Sequence, residues 1–296
     1  MTDNMRGAVL MLATMACFTA NDAFMKSLAP HLPLFQALAL RGLGSMLLLG
    51  LIAWQQGALH LPAGRRDRAL IVWRTLAEAA AACFFFLALF NLPLATTTAI
   101  IQVVPLALAL SAALFLGEPI GWRRLVAIGI GFGGVLLIVR PGGGGGGVDI
   151  FALSALASVV CVTARDLVTR QLSPSVPSLG VALATAIGVT LIGTALSLTR
   201  PWAPVGPPQA AALAGAVVFV MLGYLLSVMV MRVGEVGFVQ SFRYSSLVWA
   251  LLLGLVVFDE WPDALTLVGA GIIAATGIFT LLREQAAARR RRRQGA

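Results

Sequence analysis

Arg41, Arg74, Glu78, Arg165 and Arg243 stand inside long apolar runs of this 296-residue sequence, where an ionisable group is costly and is a hint of function. Arg74 and Glu78 are four residues apart, the spacing that puts two side chains on one face of a helix. A carboxylate placed there suits a substrate amine or a transferable proton, with Arg74 tuning it; the alternative is an ion pair that only orients the helix. Arg243 and Tyr244 lie in the polar stretch Gln240-Ser241-Phe242-Arg243-Tyr244-Ser245-Ser246. A guanidinium fork fits a carboxylate, and a tyrosine adds an aromatic wall with a polar tip. The alternative is an Arg243 that pairs with Glu78 or Asp22 and does nothing else. Asp22 with Lys26, and Asp166 with Arg170, repeat the four-residue spacing at helix ends. Long cationic side chains snorkel to water there, so anchoring before Pro30 and Pro174 is the favoured role. Asn21 and Arg165 are expected to line gates, and Arg41 to be structural. Tyr224, Trp249 and Phe84 to Phe86 offer rings for a hydrophobic pocket, although lipid contact is the ordinary role of most such rings. His31 and His60 lack partners at metal-ligand spacing, and Cys17, Cys83 and Cys161 fall inside apolar runs. No metal centre, catalytic cluster or disulfide framework is indicated, and no cofactor is expected.

The elements that must position these residues follow from composition. The chain is 59% hydrophobic and 11% charged, with mean hydropathy +0.93. A soluble domain carries roughly a quarter charged residues, so a soluble enzyme, a disordered regulator and a nucleic-acid module are excluded. A span needs about 20 apolar residues. Ten such runs are present, at 6–28, 33–54, 69–90, 94–116, 122–140, 150–171, 178–199, 209–231, 237–258 and 263–283. Every backbone group must be satisfied internally in lipid, so these runs are helices. The first reads as a retained span and not as a cleaved signal peptide. The net charge of +9 is a membrane pattern and does not signal a nucleic-acid partner. With the N-terminus inside, fourteen arginines fall on the cytoplasmic side, five of them at Arg289 to Arg293, against Lys26, Arg140 and Arg200 outside. Both termini are therefore expected in the cytoplasm. Trp54, Trp122, Trp202 and Trp261 read as interfacial anchors. Pro105 is expected to kink the fourth span, and Gly129 with Gly133 to form a close-contact face within the bundle.

The chain also repeats. Cys17-Phe18-Thr19-Ala20-Asn21-Asp22 matches Cys161-Val162-Thr163-Ala164-Arg165-Asp166 at an offset of 144, and Leu116-Gly117-Glu118 matches Phe258-Asp259-Glu260 at an offset of 142. The second offset makes Gln102 the mate of Tyr244. Five spans per unit is odd, so the second unit enters the membrane from the opposite side. The expected fold is all-α, ten transmembrane helices as two inverted five-helix repeats. The first repeat covers 1–140, a glycine-rich linker 141–149, the second repeat 150–283 and a basic tail 284–296. Such inverted repeats are the architecture of secondary transporters, with a site near the midplane between the halves.

Asp22 and Lys26, Ala39-Leu40-Arg41, Pro105, the Leu114-Phe115-Leu116-Gly117-Glu118 exit, and Gly129, Gly133 and Gly134 carry a resemblance, continued by Glu260, Gly269, Gly271 and Gly277. Together they resemble the drug/metabolite transporter superfamily, in its EamA-type ten-helix form. The resemblance implies movement of small metabolites across the bacterial inner membrane, often outward. Aromatic amino-acid exporters and S-adenosylmethionine carriers are both similar to this chain. Small amphipathic metabolites are the expected substrates, with amino acids favoured. Substrate contact is expected at Glu78, Gln102, Arg243, Tyr244, Ser246, Tyr224 and Trp249, and gating at Asn21, Asp22, Arg74, Pro105 and Arg165. The glycines 142 to 147 lack the Lys-[Ser/Thr] of a nucleotide loop, so a gradient must supply the energy. A membrane-embedded enzyme is the remote alternative. The expected partners are a small-molecule substrate and the bilayer, with a monomer favoured.

Overall fold

The computed structural model describes residues 3–55, 64–117, 120–140, 149–173, 176–230 and 236–294. Pro141 to Gly147, Glu118, Pro174, Arg232 and His60 lie outside the described residues. Every element described is helical, and ten helical stretches are long and apolar enough to cross a membrane. Eight spans are continuous: α1 (Asp3–Ser27), α2 (Leu34–Gln55), α3 (Arg65–Asn91), α6 (Trp122–Val139), α7 (Ile150–Thr169), α8 (Ser178–Ser197), α9 (Pro207–Val230) and α12 (Ala264–Gln294). The helix of α12 continues well past the end expected for the tenth span.

Two spans are broken, where the sequence suggests continuous helices. The fourth is α4 (Leu94–Ile101) followed by α5 (Val104–Phe115). Pro105 has no N–H to offer the carbonyl four residues back, and its ring crowds that carbonyl. The chain responds by ending α4 ahead of the proline and starting a new helix. Pro105 then sits in the first turn of α5, where a missing donor costs little. The break is thus a turn upstream of Pro105 and not a kink at it. The ninth span is α10 (Val236–Ser241), a 3-10 turn over Phe242–Ser245, and α11 (Ser246–Phe258).

The helices cluster into two compact units, and neither is a half of the sequence. The first comprises Met1–Ala20, Leu92–Leu153 and Phe219–Ala296; the second comprises Asn21–Asn91 and Ser154–Val218. Each unit draws spans from both sequence halves.

In the first unit, α6 packs along α12 and α4 packs on α11. Gly134 and Gly269 face each other so closely that a Cβ on either would lie 2.9 or 2.6 Å from the other's carbonyl oxygen. Only glycine permits that backbone approach. Gly131 seats against Leu106 and Thr276. Gly129 and Gly133 meet nothing within 4 Å, so the contact face is Gly131 with Gly134, not the expected pair. An ion pair from Arg140 to Asp263 joins the end of α6 to the start of α12. Asp263 also caps α12, accepting the Thr266 amide at 2.9 Å. That amide, with Arg140 nearby, holds the Asp263 carboxyl below the usual carboxylate range. Glu260 caps α4 from a distance of 166 residues along the chain, accepting the Leu94 amide at 3.0 Å.

In the second unit, α2 packs along α8, and α3 also packs on α8. Gly42 gives room to Thr190, Gly193 to Leu38 and Ala39, and Gly188 to the methyl of Thr75. Ser154 and Ser158 of α7 donate to the α3 carbonyls of Phe84 and Ala81 at 2.8 and 3.0 Å. Lys26 is only 8% exposed and donates to the Leu89 carbonyl at 3.3 Å. It neutralises the C-terminal end of α3 and does not snorkel to water as expected. Trp54, Trp122, Trp202 and Trp261 are all exposed, as anchors must be.

Candidate functional site

In the first unit the two broken spans meet. Gln102 stands at the end of α4 and is 3% exposed. Its amide donates to the Arg243 carbonyl at 2.9 Å and to the Ser246 hydroxyl at 2.6 Å. One side chain therefore ties the break of the fourth span to the 3-10 turn of the ninth. The sequence repeat pairs Gln102 with this stretch, and the structure brings them into contact.

Around that tie are polar atoms with nothing to bond. The Tyr244 hydroxyl, the Ser245 hydroxyl and the Trp249 Nε1 are buried and find no hydrogen-bond partner among the described residues. Tyr244 is 5% exposed, with its hydroxyl against Gly277, where a Cβ would collide with it. Ser245 and Trp249 are four apart and share a helix face. Leaving a buried donor unmet typically costs about 1–3 kcal/mol, so three within six residues require an explanation. Indole N–H donates only, and the hydroxyls can donate. The arrangement suits a ligand that supplies acceptors, such as a carboxylate or carbonyl, with aromatic surface beside it. Arg243 is half-buried in the same turn. Tyr224 is 43% exposed and stands edge-on to Phe18 at 5.6 Å between ring centroids. Pro105 contributes by setting the break.

The second unit holds the charged group. Arg165 of α7 contacts Glu78 of α3 at 2.5 Å and its neighbour Asp166 at 2.8 Å. All three side chains are about one-fifth to one-quarter exposed. Glu78 thus pairs across helices, with α7. Arg74 donates to Thr169 at 3.0 Å and also to Thr185. Asp166 is engaged by Arg165. A cation held between two carboxylates has one more acceptor than a simple pair needs. Elsewhere in the same unit, Asn21 donates to Asp22 at 2.8 Å. Arg41 itself lies over the Phe86 ring at 5.1 Å.

Asp166, Thr169, Thr185 and Gly277 carry roles that spacing did not assign. Thr169 was within reach of sequence reasoning, being four residues from Arg165. Thr185 and Gly277 were not, because their partners are far away in the chain.

Residues 5–140 match the family model of the EamA-like transporter family. The chain is similar to an uncharacterized transporter of Helicobacter pylori, 26% identical over 93% of this chain and 94% of that protein. It is similar to the pseudopaline exporter CntI of Pseudomonas aeruginosa, 26% identical over 93% of this chain and 96% of that protein. A solved crystal structure superposes with a TM-score of 0.67 at 17% identity, over 95% of this chain and 99% of that one.

Proposed function

We propose that this chain, whose residues 5–140 match the EamA-like transporter family and which is similar over most of its length to transporters, is an EamA-type member of the drug/metabolite transporter superfamily that exports small amphipathic metabolites, amino acids first, from the bacterial cytoplasm by alternating access. It is a transporter and not an enzyme. One observation carries the reading: two broken spans are tied through Gln102 beside the unpartnered donors of Tyr244, Ser245 and Trp249. Discontinuous transmembrane helices are where secondary transporters hold substrate. Arg243, Tyr244, Ser246, Trp249 and Gln102 form the substrate subsite, and a substrate carboxylate supplies the missing acceptors. Tyr224 serves as an outlying aromatic contact. Asn21, Asp22, Arg74 and Arg165 serve gating. Glu78 carries a coupled proton, exchanging it while Arg165 remains neutralised by Asp166. The inverted 5+5 repeat is supported by the packing of α6 on α12, α4 on α11 and α2 on α8, each pair joining corresponding spans of the two halves. The outward direction is supported by likeness to an exporter.

The test is counterflow in proteoliposomes with a panel of labelled amino acids and S-adenosylmethionine, followed by Tyr244→Phe. Removing a hydroxyl that bonds none of the described residues leaves the unfolding temperature unchanged or raises it. Removing a hydroxyl that bonds substrate weakens apparent affinity about tenfold, the equivalent of one hydrogen bond. A Tyr244→Phe protein with unchanged affinity for every transported compound refutes the subsite.

A further inference from the structure

We infer that the groove between α3 and α8 of the second unit is a binding site for an anionic phospholipid, with an acyl chain along its apolar floor and the headgroup phosphate on Arg68. The groove has a volume of about 480 Å³, and apart from Arg68 and Thr75 its lining is apolar. Gly188 shapes the floor, since a Cβ there would collide with the Thr75 methyl. The flanks Val72, Leu76 and Leu191 are 56%, 45% and 64% exposed. On a membrane span such surface faces lipid, so a hydrocarbon chain is the molecule at hand.

Arg68 is the one charged residue of the lining, and its chain neighbour Asp67 accepts from the Ser173 amide and hydroxyl. Arg68 lines the groove, and Arg65 and Arg66 are exposed in the same first turn of α3. Trp73 is 65% exposed slightly further along, an amphipathic ring suited to the headgroup boundary. From Arg68 to Leu76 the helix rises about 12 Å, close to half of the roughly 30 Å hydrocarbon core. The groove is therefore one leaflet deep, so a single lipid can place its headgroup among the arginines and its chain in the groove. A zwitterionic headgroup brings its own cation toward three arginines; an anionic headgroup does not. Basic sites between transmembrane helices recognise anionic headgroups in this way. Free phosphate can contact Arg68 but leaves the apolar floor unused.

The experiment is native mass spectrometry of the detergent-purified full chain with equal phosphatidylglycerol and phosphatidylcholine, alongside thermal unfolding. The wild type is expected to retain phosphatidylglycerol preferentially and to unfold at higher temperature with it. Arg68→Gln should cut the preference about fivefold, the share of one surface arginine. Arg123→Gln, an exposed arginine at the start of α6, should leave it intact. Ala184→Phe, which obstructs the groove, should reduce retention of both lipids. Should Ala184→Phe fail to fold, Leu191→Trp at an exposed position replaces it. Equal retention of the two lipids by the wild type overturns the proposal. So does an Arg123→Gln loss as large as that of Arg68→Gln, or inorganic phosphate alone reproducing the thermal shift. A groove-blocked variant that keeps both lipids, or a lipid-free wild-type dimer that Ala184→Phe makes monomeric, also overturns it.

Discussion

At the scale of single residues, the membrane makes every polar group accountable. Arg165 is the clearest case, since its two carboxylate partners, Glu78 and Asp166, are of unequal standing. Asp166 is its chain neighbour and stays with it, whereas Glu78 comes from another helix and holds α3 to α7. Removing one partner of a largely buried pair leaves the other charge uncompensated, so Glu78→Gln and Arg165→Gln should each lower the unfolding temperature in detergent. The double substitution should recover part of the loss, with a coupling of about 1–3 kcal/mol in a double-mutant cycle. Additive losses would mean that the two side chains do not act as a pair. Glu78→Gln should also flatten the pH dependence of transport in proteoliposomes. Full retention of that dependence would remove Glu78 as the proton carrier. Glu78 stood out in the sequence, because a carboxylate inside an apolar run is conspicuous. Its contact with Arg165 was not legible, because that residue lies 87 residues away in the chain.

At the scale of elements, glycine and caps decide how helices meet. Gly131, Gly133 and Gly134 look alike in the sequence but face different surroundings on α6. Gly134→Val should destabilise by about 1–3 kcal/mol, since its Cβ would overpack against the Gly269 carbonyl. Gly133→Ala, which meets open space, should be neutral or stabilising by up to about 1 kcal/mol. Equal effects in thermal unfolding would contradict the assigned face. Asp263 allows a second test. Asp263→Ala should cost about 1 kcal/mol, the usual worth of an N-cap, while Asp263→Asn keeps the cap and should cost less. The folded carboxyl sits below its ordinary value of 3.8. Its contribution is therefore complete above that value and is lost as pH falls through the lower folded value. An acid scan should show this loss in the wild type and not in Asp263→Asn. The break at Gln102 was half legible. Pro105 announced a disturbance, but its form, a clean restart with the proline in the first turn of α5, depended on Gln102 finding Arg243 and Ser246.

At the scale of the whole molecule, the distribution of arginine predicts an orientation with both ends in the cytoplasm. Single cysteines at Asn4→Cys and Gln294→Cys, in a background without the three native cysteines, should both react with an impermeant maleimide in inside-out vesicles and resist it in intact spheroplasts. Labelling of the two ends from opposite sides would reverse the assigned topology of one half. The compact units cut across the sequence halves, each taking spans from both. The sequence by itself determined the solvent, the number of spans and their helical nature. These follow from hydropathy and the need to satisfy backbone groups in lipid, both local along the chain. It also marked the polar residues that lipid would not tolerate. Only the tertiary structure decided which glycines touch, where the fourth and ninth spans break and which charges pair. Those outcomes depend on what lies opposite each side chain, and in lipid close packing and hydrogen bonding choose the neighbours, because apolar surface alone does not distinguish a helix from the solvent around it.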